Sequence, residues 1–221
     1  MMRKAIAVLM GVCLVIGVSS LAWGQAYLDR GLGDAGCVDQ WKPIKLGNQL
    51  IGVSCGPGLG ARVAYFFPYS NSDVNSSIAY EGIVSYMVSN IFATALSVGY
   101  TRPEWNYPTM YGHSELTYLN LTFELRGEPE PNFGLYLGFG PSLIFSDFDS
   151  ESPGVNVRAK DTFGAHVALG IDYCITQHIV LNIDVKHLWF LDDYQYKIND
   201  GAWEKAKLNS VIIGAGLKYF F

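Results

Sequence analysis

Residues 133–146 read FGLYLGFGPSLIFS, and the two-residue period of that stretch decides the fold. Phe133, Leu135, Leu137, Phe139, Leu143 and Phe145 share one parity, with Pro141 among them. Gly134, Tyr136, Gly138, Gly140, Ser142 and Ser146 share the other, beside a single Ile144. Successive side chains of a β-strand point to opposite faces, so this strand has one greasy face and one small or polar face. Helical spacing would scatter both sets around a cylinder.

The same alternation repeats on either side. Phe163, Ala165, Val167, Leu169, Ile171 and Tyr173 alternate with Gly164, His166, Ala168, Gly170, Asp172 and Cys174. Ile179, Leu181, Ile183, Val185 and Trp189 alternate with Asn182, Asp184 and Lys186. Val211, Ile213, Ala215, Leu217, Tyr219 and Phe221 oppose Gly214, Gly216 and Lys218. Upstream, Leu119, Leu121, Phe123 and Leu125 oppose Asn120, Thr122, Glu124 and Arg126. Phe92, Leu96, Val98 and Tyr100 oppose Ala93, Ala95, Ser97 and Gly99. Tyr80, Val84, Tyr86 and Val88 oppose Glu81, Ser85 and Ser89, and Leu59, Ala61, Val63, Tyr65 and Phe67 oppose Gly58, Gly60, Arg62 and Ala64. That makes eight strands, an even number.

Composition says which solvent the greasy faces meet. Half of the residues are hydrophobic and 14% aromatic, while only 16% are charged. A soluble domain carries about a quarter charged residues. Beyond the N-terminus no apolar run approaches the roughly 18 residues of a transmembrane helix. Apolar residues spread over alternate strand positions, with glycine and charge confined to the opposite face, predict an all-β fold: an eight-stranded antiparallel transmembrane β-barrel of outer-membrane type. Connections alternate as such a barrel requires. Short turns fall near Ser89 and Asn90, at 127–132 and at 176–178; long polar loops fall at 68–77, 103–114, 147–161 and 192–207. Aromatic residues at the strand ends mark two interfacial girdles.

The front of the chain points to export. Arg3 and Lys4 precede an apolar run at 5–18, then Ser19 and Ser20, with Ala22 and Gly24 at the small-residue positions before Gln25. This layout predicts a signal peptide over 1–24, a periplasmic or plug segment over 25–57 and the barrel over 58–221. Cys37, Cys55 and Cys174 remain after cleavage; Cys37 with Cys55, in one segment of an oxidising compartment, is the favoured disulfide. A net charge of −5 argues against a nucleic-acid partner. Outer-membrane lipids and lipopolysaccharide are the expected surroundings. Four scattered histidines give no metal site, and no cofactor is expected.

With the strands in place a family resemblance becomes visible. Thr162-Phe163-Gly164, Gly170-Ile171-Asp172-Tyr173 and the stretch from Leu181 through Asn182, Ile183, Asp184 and Val185 to Lys186 resemble the late hairpin of the outer-membrane protein W family. Leu135-Tyr136-Leu137-Gly138-Phe139-Gly140 is similar to its Tyr-x-Gly-x-Gly strand, 62–68 to its first strand and 213–221 to its last. The resemblance covers 58–221, and its motifs are shared in part with OmpA-like small barrels. It implies a narrow conduit for small hydrophobic molecules, with an apolar entrance and a lateral exit between strands. The closing Gly216, Tyr219 and Phe221 fit the general signal by which barrels are passed to the barrel-assembly machinery.

The inward faces carry what chemistry there is. An eight-stranded barrel has room inside for side chains or one small ligand. Arg62, Arg126, Lys186 and Lys218 face the lumen against Glu81, Glu124, Asp172 and Asp184, and equal numbers of each sign away from water should pair. Leu116, Ile144, Leu188, Phe190 and Ile212 also face inward, towards the outer end, as an apolar pocket or as core supporting the loops. A non-conducting structural or adhesive barrel is the alternative to a conduit. A lipid A-modifying enzyme needs a nucleophile and base in reach. His113, Ser114 and Glu115 are adjacent, and His166 and Asp172 lie nearly 20 Å apart along a strand, so no enzyme is expected.

Overall fold

Alternation becomes architecture in the computed structural model, which describes residues 44–46, 49–51, 56–71, 73–89, 91–107, 110–130, 132–176, 178–199 and 201–221. The expected signal peptide and the Cys37–Cys55 pair lie outside the described residues. Of the 25–57 segment, the described part is a short antiparallel pair, Ile44–Leu46 with Gln49–Ile51, followed by the start of the first barrel strand.

The wall strands are β1 (Gly56–Pro68), β2 (Ser77–Ser89), β3 (Phe92–Thr101), β4 (Met110–Glu130), β5 (Phe133–Ser150), β6 (Thr162–Cys174), β7 (Ile179–Phe190) and β8 (Ser210–Phe220). Each pairs antiparallel with its sequence neighbour, and β8 pairs with β1 from Ser210–Pro68 to Phe220–Gly58, closing the ring. Closure removes every free edge, which is what lets strands cross hydrocarbon with their backbone groups satisfied. Side-chain exposure follows the parity of the sequence. On β5, Leu135, Leu137, Phe139 and Phe145 are exposed, while Gly134, Tyr136, Gly138, Ser142 and Ile144 are buried.

Besides register shifts at Met87–Ser89 and Gly127–Glu130, next to the short turns, the wall is discontinuous within its span. Between β4 and β5 the ladder runs from Gly112–Ser150 to Asn120–Ser142 and resumes at Phe123–Phe139 in the same register. No pair joins Leu121 and Thr122 to Pro141 and Gly140. Proline has no N–H to donate to a ladder, which is why it is rare in central strands. The Leu121 carbonyl also presses so close on Gly140 that a Cβ there would overlap it.

The long loops add to the sequence expectation. Beyond being long and polar, three of the four carry strand structure of their own. Glu104–Tyr107 folds back on the upper end of β4, and Val157–Ala159, Tyr194–Ile198 and Glu204–Ala206 form a separate three-stranded sheet from the β5–β6 and β7–β8 connections. Short runs with buried Trp105, Val157, Tyr194, Tyr196, Ala206 and Leu208 are enough to fold these loops, because they pack on the apolar barrel mouth.

Candidate functional site

The lumen is built in layers. One is ionic and contains all eight charged residues singled out by parity; buried Val180 and Phe220 lie nearer the short turns on the same strands. Arg62 of β1 forks to Glu81 of β2 and to Asp184 of β7, and its Nη1 also donates to Asn182 Oδ1 at 3.3 Å. Lys186 Nζ lies 3.0 Å from the second Glu81 oxygen. Arg126 of β4 bridges Glu124, at 2.6 Å, and Asp172 of β6; Lys218 of β8 reaches Asp172 at 3.4 Å. Asn182 and the Tyr136 hydroxyl join the two halves. Asn182 donates to Asp172 at 2.7 Å and to the Tyr136 oxygen at 3.2 Å, and Tyr136 donates to Asp184 at 3.2 Å. All of these charged side chains are buried, and the four positive and four negative charges cancel.

Two close approaches make the layer possible. Arg62 reaches Asp184 by lying across Gly214 of the intervening β8, where a Cβ would sit 2.7 Å from Arg62 Cδ. Tyr136 lies over Gly170, its direct cross-strand partner, at a position where any Cβ would overlap the phenol ring. The Arg126 guanidinium and the Lys218 ammonium then lie 5.4 and 5.0 Å from the Tyr136 ring centroid, so the ring meets two cations.

Above this comes a neutral polar layer that sequence reasoning missed. His166 Nδ1 is 2.9 Å from Ser142 Oγ, and its Nε2 is 3.0 Å from Thr122 Oγ1. Ser142 donates to Asn120 Oδ1 at 2.7 Å, and Asn120 donates to Ser97 at 3.3 Å. Every member is of inward parity, so the signal was present. What the sequence lacked was the register that sets Ser142 and His166 two rungs apart on neighbouring strands. Asp172 is not part of this group; it belongs to the ionic layer. His113 pairs with Glu151 at 3.1 Å and Ser114 meets the Tyr194 hydroxyl at 3.0 Å, so the His113-Ser114-Glu115 run does not converge.

The top layer is apolar. Leu116, Ile144, Leu188, Phe190 and Ile212 come together as one packed cluster with Phe66, Phe148 and Leu208. Trp105 closes it from above, fully buried, with ring contacts to Tyr194 at 5.4 Å, Tyr196 at 5.8 Å and Phe148 at 6.1 Å. Burial holds the Tyr194 hydroxyl above the ordinary tyrosine range. At the other end of the barrel, Tyr219 and Phe221 are exposed on the outer wall, 5.2 Å apart between centroids. Gly216 faces inward against Arg62. Cys174 ends β6, its N–H donating to the Asn132 carbonyl at 2.9 Å.

A closed eight-stranded ring with an apolar exterior and a polar, charge-balanced interior is a small transmembrane barrel of outer-membrane type. The chain belongs to the outer membrane protein beta-barrel domain family, whose model matches residues 50–221, and it is a protein of the bacterial outer membrane. Among solved structures it is similar to the outer membrane protein OprG from Pseudomonas aeruginosa (16% identity, 76% of this chain and 97% of that one, TM-score 0.63). It is similar also to Neisserial surface protein A (19% identity, 75% and 97%, TM-score 0.57). A third is a major outer membrane protein from Thermus thermophilus (10% identity, 75% and 99%, TM-score 0.52). At these identities the likeness is one of fold. No curated protein matches the chain. Barrels of this kind turn their short turns to the periplasm and their long loops outward, which puts the aromatic layer at the extracellular mouth.

Proposed function

We propose that this barrel passes small hydrophobic molecules sideways into the outer membrane, from the space between its aromatic cap and its ionic floor. The observation that carries the reading is the discontinuity at Pro141. It lies at the height of the neutral Ser142–His166 layer, just above the ion pairs and just below the apolar cluster. A solute admitted through the apolar mouth would meet, beneath it, a floor whose paired charges repel apolar matter. The missing rungs between β4 and β5 offer it the least costly way out. Movement of the cap opens the mouth in this scheme. Gly216, Tyr219 and Phe221 serve, in the same proposal, as the signal read by the assembly machinery.

The test is Pro141→Ala, which gives β5 back a donor. One ladder hydrogen bond contributes net about 0.5–1.5 kcal/mol, enough to reduce a transient opening roughly two- to tenfold. Uptake of an apolar fluorescent probe into vesicles holding the protein should fall by that factor. Equal uptake by the two chains would sink the lateral route. A wild-type barrel that admits no probe would favour the second reading, a non-conducting structural or adhesive barrel, for which the sealed mouth around Trp105 speaks.

A further inference from the structure

The three-stranded loop sheet has two unlike faces. Val157, Tyr194, Tyr196 and Ala206 point down into the apolar cluster over the mouth. The opposite parity must therefore look away from the barrel, towards the medium. That outer face is basic. Arg158 stands directly opposite Lys197, and Lys205 directly opposite Gln195. Lys160 adds its ammonium, 3.1 Å from the Gln195 side-chain oxygen. Between them stands Trp203, 41% exposed, with Lys160 Nζ at 4.2 Å and Lys197 Nζ at 5.7 Å from its ring centroid.

Two features of this face call for a partner. Like charges directly opposite on neighbouring strands destabilise a sheet, yet Arg158 and Lys197 are set so. And among the described residues none of the four cations is in an ion pair. Two neighbouring acids are engaged elsewhere: Glu204 accepts from the Tyr196 hydroxyl at 2.8 Å, and Asp161 accepts from the Ser146 amide at 3.0 Å. Asp193 shares the parity of Gln195 and Lys197 and adjoins the array without an ion pair among the described residues. This concentration of positive charge occurs in a chain whose net charge is −5.

We infer that the outer face of the loop sheet binds a polyanionic polysaccharide from outside the cell, a sulfated chain in particular. Paired strands lie about 5 Å apart and residues of one parity about 7 Å apart along a strand, so the cations form an extended array. A single anion would neutralise only part of it; a chain bearing repeated sulfates can follow it. Trp203 offers a flat apolar surface on which a sugar ring can lie, with two ammonium groups beside it for anionic substituents. Lipopolysaccharide phosphates lie at the membrane rim, whereas this face is turned away from it. The inference stands apart from lateral passage, since it involves neither the lumen nor Pro141.

Binding of heparin and of neutral dextran to the full protein in vesicles free of lipopolysaccharide tests it. Heparin should bind, dextran should not, and added salt should weaken the complex through screening. Arg158→Glu with Lys197→Glu should raise the heparin Kd at least about tenfold, while the unboiled protein keeps the gel mobility of a folded barrel. Should that pair of reversals prevent folding, Lys160→Ala with Lys205→Ala carries the same expectation of weaker binding. Heparin binding that survives the substitutions, or that neutral dextran matches, overturns the inference. So does binding only to vesicles that contain lipopolysaccharide, which would assign the face to membrane phosphates instead.

Discussion

Arg62 holds two carboxylates from two different strands, Glu81 and Asp184, on one guanidinium inside the barrel wall. Its planar fork suits that task in a way an ammonium does not. Removing it leaves Glu81 with Lys186 alone and Asp184 with only the Tyr136 hydroxyl. Breaking a buried pair costs far more than the pair contributes, because the abandoned charge stays desolvated. Arg62→Met should therefore destabilise the folded barrel by about 3–5 kcal/mol. Arg62→Lys, which keeps one charge, should lose less. Urea-induced unfolding in lipid vesicles measures both, and equal stability of the Met variant would show that the ionic layer is not a closed network. The inward placement of Arg62 could be read from alternation alone. That it reaches Asp184 could not, since the reach depends on Gly214 lying between them in a register that β8 and β1 set only on closure.

At the scale of elements the loops were the part least legible. Each of the eight wall strands declares itself through a long run of alternating side chains, with lipid on one face and the lumen on the other. The extracellular strands are only three to five residues long. A period of two cannot be distinguished from accident over so few positions, where charged residues stand among the apolar ones. They fold because the barrel mouth gives Trp105 and Tyr194 something to bury against. One tie between these loops is titratable. Glu104 accepts from the Tyr111 hydroxyl and, at 3.0 Å, from Asn75, and these hydrogen bonds, that from Tyr111 first, hold its carboxyl below the usual carboxylate range. A carboxylate with a depressed folded pKa stabilises the fold above its unfolded pKa, and that contribution is lost as pH falls through the folded value. The Asn75 and Asn106 amides, which donate to Glu104 and Asp73 carbonyls at 2.8 Å, should lose hydrogen-exchange protection as pH drops below the ordinary carboxylate range. In Glu104→Gln the protection should not change with pH over that window. A wild-type profile as flat as that of the variant would remove Glu104 as the titrating tie.

At the scale of the whole molecule, the membrane-spanning wall inverts a soluble domain: eight charged side chains are sealed within it and its apolar side chains are turned out. That arrangement holds only in hydrocarbon, and the cost of violating it must depend on depth. Leu169 lies midway along β6, opposite Leu137 on one side and Val185 on the other, and is 62% exposed on the outer wall. Phe163 has the same outward parity but sits at the loop end of the same strand. Leu169→Arg should destabilise the barrel by about 2–4 kcal/mol, and Phe163→Arg by only about 0–1, because an arginine near the interface can extend its charge into water. Both are measured by the same unfolding experiment in vesicles. The comparison holds strand, parity and introduced residue constant and changes only depth. Equal losses at the two sites would mean that packing rather than hydrocarbon sets the cost, and the outer wall would then have to be read as a protein-facing surface.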